Sequence, residues 1–274
     1  MADLLTAEFW AKYGPLLLDG TVDTLVMTGI STVFAYLLGL PLGVALILTQ
    51  PHGIRPNNVI YKVLGWIINV GRSLPFIILM VAIMDFTKLI VGTKIGVRGA
   101  IVPLVVSAAP FIARMVETSL AEVDAGVVEA AQSMGASTFQ IVWKVYLPEA
   151  KPSLVLGGAI SIVTILAYTA IAGAIGAGGL GDLAIRYGYQ RRYPPMLLVT
   201  VIFLIVLVQL IQSVFSHVSA RIDKRLDSGH KKGFAPLELW ARFTHTQQGV
   251  TACLRNSRQP YEIKNPRNIG GKEQ

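Results

Sequence analysis

The side chains that most often carry catalysis or bind metals are few in this sequence and stand far apart. The four histidines have no acidic or cysteine partner at metal-ligand spacing, and the single cysteine, Cys253, excludes thiolate clusters and internal disulfides. No combination of serine, histidine and aspartate resembles a hydrolytic triad. The sequence therefore predicts no catalytic residue and no metal site. The histidines are His52, His217, His230 and His245.

A glycine-rich segment offers a second possibility. Gly176, Gly178 and Gly181 fit G-x-G-x-x-G, the pattern of dinucleotide-binding turns. Such a turn needs a strand before it and a helix opening after it, whereas this segment closes a long apolar run, so we do not predict nucleotide binding. Two interpretations stay open: the glycines bend or loosen a helix end and form a gate, or they only permit close packing. The ATP-binding pattern G-x-x-x-x-G-K-[ST] does not occur in the sequence, so any ATP must be bound by another chain.

Arg72 is a charged residue within an apolar run and is followed closely by Ser73 and Pro75. A charge at the centre of a bilayer costs at least about 2.5 kcal/mol on insertion scales, so such residues usually have a function. Arg72 could line a polar path together with Ser73 and Pro75, or pair with Asp85 or Glu117. Alternatively, it lies near the membrane interface and extends its charge into water. These alternatives stay open.

Composition indicates that lipid is the solvent for most of the chain. Of its 274 residues, 53% are hydrophobic and only 15% are charged. A helix needs about 20 apolar residues to cross a bilayer, and the segments lack the period-two alternation of membrane strands. We therefore predict an all-α integral membrane protein with about five transmembrane helices. The predicted spans are residues 25–48, 62–85, 98–118, 152–176 and 194–219.

Small residues within the first predicted span could serve helix packing. Gly39 and Gly43 have the G-x-x-x-G spacing, which lets another helix approach closely. Glycines are common in membrane helices, so a chance occurrence is an equally good interpretation.

Charge in the loops predicts the orientation of the chain. Placing the C-terminus inside gives ten Lys and Arg residues in the inner loops against seven in the outer loops. Residues 1–23 are then an extracytoplasmic segment, and residues 24–226 form the membrane domain. Residues 227–274 form a polar, basic tail that we predict to be disordered. The net charge of +8 does not indicate nucleic-acid binding, because the basic residues form no contiguous stripe.

A long polar loop, residues 122–148, separates the third and fourth predicted spans. Its length exceeds what a connection between helices needs, which suggests a role of its own. One short helix should end at Gly135, where glycine suits the left-handed residue that follows a helix. Ser137 and Gln140 have the spacing of a capping box for a second short helix, and Pro148 should end that helix. The loop is therefore predicted to be a helical hairpin.

This loop resembles the EAA loop of ABC importer permeases. The string Glu129-Ala130-Ala131, three residues, Gly135, nine residues, and then Val145-Tyr146-Leu147-Pro148 follows the family pattern, with Val145 in place of isoleucine. The resemblance implies that residues 122–148 are cytoplasmic and couple the permease to an ATPase subunit. It implies this role for Glu129, Ala130, Ala131, Gly135, Leu147 and Pro148. A well-capped hairpin with a solvated Glu129 is the simpler alternative.

A wider resemblance, over roughly residues 20–226, is to the methionine-uptake permeases of this class. It rests on the runs that begin at Arg72, Ala100 and Gly176. It implies a bacterial inner-membrane permease that forms a homodimer, binds two ATPase subunits carrying ATP and Mg, and receives methionine from an extracytoplasmic substrate-binding lipoprotein. No cofactor is implied in this chain. A permease for another small solute, or a membrane enzyme or scaffold, remains the alternative.

Overall fold

The computed structural model describes residues 6–222, so the predicted tail 227–274 lies outside the described residues. Every regular element in the described part of the chain is helical, as predicted. The helices are α1 (Ala7–Thr49), α2 (Asn58–Ser73), α3 (Phe76–Ala82), α4 (Met84–Val91), α5 (Gly96–Ala121), α6 (Ala125–Ser133), α7 (Thr138–Ile141), α8 (Leu147–Glu149), α9 (Lys151–Gly173), α10 (Gly179–Leu183) and α11 (Pro194–Ile222), with π-helical turns at Val142–Tyr146 and Ala184–Gln190.

Helices α1 and α5 pack against each other along a glycine seam. A Cβ atom added to Gly39 would lie 2.9 Å from the carbonyl oxygen of Ala109, and one added to Gly43 would lie 2.6 Å from that of Ala113. These distances leave no room for a side chain, so the two backbones touch directly. Of the two interpretations left open for the G-x-x-x-G pair, the structure shows the close approach of another helix, which is α5.

Within residues 6–222, four single helices are long and apolar enough to cross a membrane, namely α1, α5, α9 and α11. They contain or closely match the predicted spans 25–48, 98–118, 152–176 and 194–219. The fourth predicted span corresponds to α9, which ends at Gly173 rather than at residue 176 because a glycine turn follows it. Helix α11 is the least covered by the rest of the chain, which suits a helix that faces lipid or a partner.

The predicted second span, residues 62–85, is wrong as a single straight helix. Helices α2 and α3 meet at an angle of 99° around Leu74 and Pro75. Leu74 has an extended backbone because the ring of the following residue, Pro75, would clash with a helical conformation at Leu74. The bent pair makes a fifth span only if both helices are counted together.

Helix α1 is far longer than its predicted span. It runs for 43 residues, from Ala7 to Thr49, and is continuous through Pro15 and Pro41. At about 1.5 Å per residue its length is about 65 Å, roughly twice the hydrocarbon thickness of a bilayer. Most of the segment predicted to precede the first span is therefore the first part of the same helix.

Candidate functional site

The EAA loop begins with helix α6. The side chain of Asp124 caps this helix by accepting a hydrogen bond of 2.7 Å from the backbone N–H of Gly126. Glu129 and Ala130 are exposed on α6, whereas Ala131 is only 7% exposed and belongs to the core of this chain. Ala131 therefore packs α6 against the core of this chain. Leu147 is half-buried and Pro148 is exposed.

A left-handed glycine forms the corner after α6, as the sequence predicted. Gly135 has φ +78°, and its N–H donates a 2.9 Å hydrogen bond to the carbonyl oxygen of Gln132. The N–H of Ala136 donates to the carbonyl oxygen of Ala131 at 3.1 Å. A Cβ atom on Gly135 would meet nothing within 4 Å. Glycine is needed here for its backbone conformation and not for lack of space.

The predicted capping box opens the second helix of the loop. The hydroxyl of Ser137 accepts from the N–H of Gln140 at 3.3 Å, while the amide oxygen of Gln140 accepts from the N–H of Ser137 at 2.8 Å. The prediction that Pro148 ends this helix is wrong. A π-helical turn at Val142–Tyr146 leads directly into α8, which contains Pro148, and α9 follows. Pro148 has no backbone N–H to donate, and the wider π-helical turn just before it accommodates this missing hydrogen bond without ending the helix.

Three large apolar side chains project from the loop and were not identified from the sequence. Met134, Phe139 and Trp143 are 81%, 73% and 63% exposed. The rings of Phe139 and Trp143 stack with centroids 6.2 Å apart and an interplanar angle of 6°. Two aromatic residues four positions apart in an otherwise polar loop share one helix face, and this spacing was the signal available in the sequence.

A cavity of about 250 Å³ lies behind α6, where the loop meets the ends of α1 and α5. Glu129, Gln132 and His52 contribute polar walls, and Leu120 and Val128 contribute apolar ones. Tyr146 also lines the cavity, and burial raises the pKa of its phenol. The loop is therefore not fully packed against the ends of α1 and α5.

A polar network ties α5 to α2 just before the EAA loop. Arg114 donates to the carboxylate of Glu117 at 2.6 Å and to the side-chain oxygen of Asn69 at 2.9 Å. Tyr61 donates to the other carboxylate oxygen of Glu117 at 3.3 Å. Glu117 is only 7% exposed. The network satisfies a carboxylate that would otherwise be buried without a partner.

Arg72 belongs to neither of the ion pairs considered for it. The structure pairs Asp85 with Lys94 and Glu117 with Arg114, so these two predicted partners are wrong. Arg72 and Ser73 are exposed where α2 ends, and the hydroxyl of Ser73 donates to the carbonyl oxygen of Asn69 at 2.8 Å. Pro75 caps the start of α3. All three residues thus lie at the elbow between α2 and α3.

The glycine-rich segment forms a tight turn at the other end of the helix bundle. Gly176 and Gly178 have φ +89° and +85°, and the carbonyl oxygen of Gly176 accepts from the N–H of Gly96 at 3.0 Å. The N–H of Leu180 donates to the hydroxyl of Thr24 on α1 at 2.9 Å. Gly181 fits the other interpretation, close packing, because a Cβ atom added there would lie 2.4 Å from the carbonyl oxygen of Ala170. The turn is both bent and closely packed.

Residues 6–222 contain no group of three or more His, Cys, Asp or Glu side chains that could hold a metal ion.

Comparison with known proteins identifies relatives of this chain. Residues 35–224 match the family model described as binding-protein-dependent transport system inner membrane component. The chain is 50% identical over 219 residues to a protein of Vibrio cholerae named probable D-methionine transport system permease protein MetI, covering 80% of this chain and 97% of that one. It is 44% identical to the protein of the same name from Pasteurella multocida, covering 81% of this chain and all of that one.

A solved structure has the same fold. A chain of a solved structure of inward-facing conformations of the MetNI methionine ABC transporter superposes on this one with a TM-score of 0.77 at 45% identity. The superposition covers 78% of this chain and 99% of that chain.

Proposed function

The chain belongs to the family of binding-protein-dependent transport system inner membrane components, and on that premise we propose that it is the permease of a methionine-importing ABC transporter. The observation that carries this proposal is the match to the Vibrio cholerae relative named probable D-methionine transport system permease protein, at 50% identity over 97% of its length. As in that family, the chain is a multi-pass inner-membrane protein. Its substrates are D-methionine, L-methionine or both, with close analogues.

Energy comes from a separate ATPase, two copies of which bind ATP and Mg and dock on a homodimer of this chain. The EAA loop is the docking element, with Glu129 and Ala130 presented on α6, Gly135 at the corner, and Leu147 and Pro148 at the return to α9. Exposed Met134, Phe139 and Trp143 support this role, because large apolar and aromatic side chains dominate the energetics of protein interfaces. Ala131 contributes by fixing α6 to the bundle.

The remaining candidate residues belong to the path and its gate. Gly176, Gly178 and Gly181 form a closed turn that bonds to α1 and α5, which suits an outer gate in an inward-facing state. Arg72, Ser73 and Pro75 lie at the exposed elbow of α2 and α3, where a second copy of the chain would complete a path. ATP-driven movement of the EAA loops would then open one side as the other closes.

This arrangement puts the N-terminus outside and the C-terminus in the cytoplasm. The EAA loop and the chain after α11 then lie on the ATPase side, and the glycine turn lies outside. An extracytoplasmic binding lipoprotein delivers the substrate there.

Transport by the reconstituted complex tests the substrate. Proteoliposomes containing the permease, its ATPase and the binding protein should accumulate radiolabelled methionine only with ATP, and unlabelled methionine should compete. No methionine uptake, together with ATP-dependent uptake of a different small solute by the same proteoliposomes, would keep the importer and replace methionine. Assembly without ATP-dependent uptake of any solute would contradict the transport function itself.

Removal of the exposed aromatic pair tests the docking role. The double variant Phe139→Ala/Trp143→Ala should bind the ATPase at least about tenfold more weakly, because each is a large exposed anchor. Trp66→Ala is the matched control, since Trp66 is 67% exposed on α2, away from the loop. Equal co-purification of the ATPase with both variants would refute the assignment.

Uptake by an Arg72→Ala variant tests the path. Full methionine transport at normal membrane abundance would remove Arg72 from the mechanism.

A further inference from the structure

A basic aromatic surface lies at the N-terminal end of α1, where this end meets the segment between α10 and α11. Arg186 and Arg191 lie over the ring of Tyr187, 5.3 and 4.6 Å from its centroid, and Lys12 lies over the neighbouring ring of Tyr13. The members of this surface, which we call the outer basic platform, are Lys12, Arg186, Tyr187, Arg191 and Arg192.

Aromatic contacts hold the two halves of the platform in a fixed relation. The ring of Tyr13 on α1 packs edge-on against Tyr187, with centroids 6.0 Å apart, and against Tyr193 at 5.6 Å. Phe9, which is 3% exposed, packs on Tyr13 at 5.1 Å. The platform thus stands on a rigid base, as a docking surface requires.

The cations of the platform remain largely unneutralised. Arg186 pairs with Asp182 at 2.7 Å, but among residues 6–222 no carboxylate lies within 4 Å of the guanidinium of Arg191 or Arg192. The guanidinium of Arg191 lies 4.6 Å from the centroid of the Tyr187 ring, which positions its charge without cancelling it. A partner for this surface should therefore be acidic.

The backbone at Arg192 is also unusual. Arg192 has φ +52° and is the one non-glycine residue with positive φ in the described part of the chain. Left-handed backbone at a bulky residue is uncommon, and such residues cluster at functional sites. The turn presents two adjacent arginines, Arg191 and Arg192, both of them exposed.

The length of α1 places the platform above the membrane. Lys12 precedes Thr49 by about 55 Å of helix, or about 52 Å along the membrane normal at a tilt of about 20°. A bilayer with its headgroups is about 40–45 Å thick. With Thr49 at the water-facing edge of the inner headgroups and a tilt of about 20°, the platform would stand clear of the outer headgroups. A soluble protein can reach it there more readily than a lipid can.

We propose that the outer basic platform docks an acidic face of the extracytoplasmic substrate-binding protein. The proposal rests on the function and orientation given above, and the family description itself specifies dependence on a binding protein. Arginine and tyrosine are enriched at protein interfaces, and their charge steers an acidic partner toward the gate-forming turn, which α10 joins to this segment.

Charge reversal tests the proposal. The Arg191→Glu/Arg192→Glu variant of the full transporter, in nanodiscs of zwitterionic lipid, should bind the purified binding protein at least about tenfold more weakly at low ionic strength. The difference should shrink at high salt. Lys88→Glu is the matched control, because Lys88 is exposed on α4, away from the platform, and it should change the affinity less than twofold. Basal ATPase activity reports intact assembly in every variant.

The outcomes separate the platform from the proposed function. Native complex that transports methionine, with equal docking to the reversal variant, would overturn the platform and leave the importer intact. A loss of docking seen only in nanodiscs containing phosphatidylglycerol would overturn it in favour of lipid binding. Native complex that neither docks the binding protein nor transports methionine would overturn both.

Discussion

Two regions of this protein depend on glycine for opposite reasons. In the seam between α1 and α5, Gly43 is required because a Cβ atom would lie 2.6 Å from the carbonyl oxygen of Ala113. In the EAA loop, Gly135 has open space on all sides and is required because its φ is +78°. The seam is limited by volume and the loop by backbone conformation.

The same contrast holds for the surroundings of the two glycines. Along the seam, core residues such as Ile112 and Val116 are fully buried. On the loop, Phe139 and Trp143 are more than half exposed. The seam is thus complete within one chain, whereas the loop presents apolar surface that suits the proposed docking of the ATPase. Substitutions in the seam should damage folding, and those in the loop should damage assembly.

The largest effect is expected at the seam. Gly43→Val places a branched side chain against backbone atoms that cannot rotate away, and overpacking of this kind costs about 1–3 kcal/mol or more. The folded fraction after heating, measured by gel filtration in detergent, should fall sharply. Gly29→Val is the matched control on the same helix, because the Cβ position of Gly29 meets nothing within 4 Å. Equal losses in both variants would mean that the seam is not limited by volume.

The ion pair beside the seam should give the next largest effect. Arg114→Met leaves the buried carboxylate of Glu117 without its cation, and because Arg114 is partly exposed and Tyr61 still donates to the carboxylate, we expect a loss of about 1–2 kcal/mol. Thermal stability in detergent measures the loss. Lys94→Met breaks the exposed pair with Asp85 and should change stability little. A similar shift in both variants would contradict a special role for burial.

A substitution in the EAA loop should weaken ATPase binding rather than destabilise the permease. Gly135→Ala adds no clash but forces a left-handed alanine, which costs about 1–2 kcal/mol. We expect unchanged thermal stability of the isolated permease and about five- to thirtyfold weaker binding of the ATPase. Gly135→Asn, which tolerates this conformation better, should recover part of that affinity. Lower permease stability with unchanged ATPase binding would reverse the comparison.

Sequence reasoning succeeded where the determining residues are neighbours. The corner at Gly135 and the cap at Ser137 are local patterns, and each formed as predicted. The break near Pro75 also depends on neighbouring residues, but the prediction rested on the length of the apolar run and missed the break. Hydropathy also measures only the part of a helix within lipid, so it could not show that α1 begins at Ala7.

Long-range partners could not be predicted from one sequence. The hydrogen bond from Tyr61 to Glu117 joins residues 56 positions apart, and the bond from Leu180 to Thr24 joins residues 156 positions apart. The sequence around each of these residues gives no sign of its distant partner. The exposed pair Phe139 and Trp143, by contrast, was visible in the sequence as an i,i+4 aromatic pair.

The smallest effect is expected at the cap of the second loop helix. Ser137→Ala removes the acceptor for the N–H of Gln140, a loss of about 1 kcal/mol, while the reciprocal bond from the side chain of Gln140 remains. Because α7 is only four residues long, this loss should loosen the segment that carries Phe139. ATPase affinity should fall about three- to fivefold, and Ser137→Asp, which keeps the acceptor, should retain it. If the alanine and aspartate variants bind the ATPase equally weakly, the serine contacts the partner itself, and the loop recognises the ATPase through a side chain that the cap explanation overlooks.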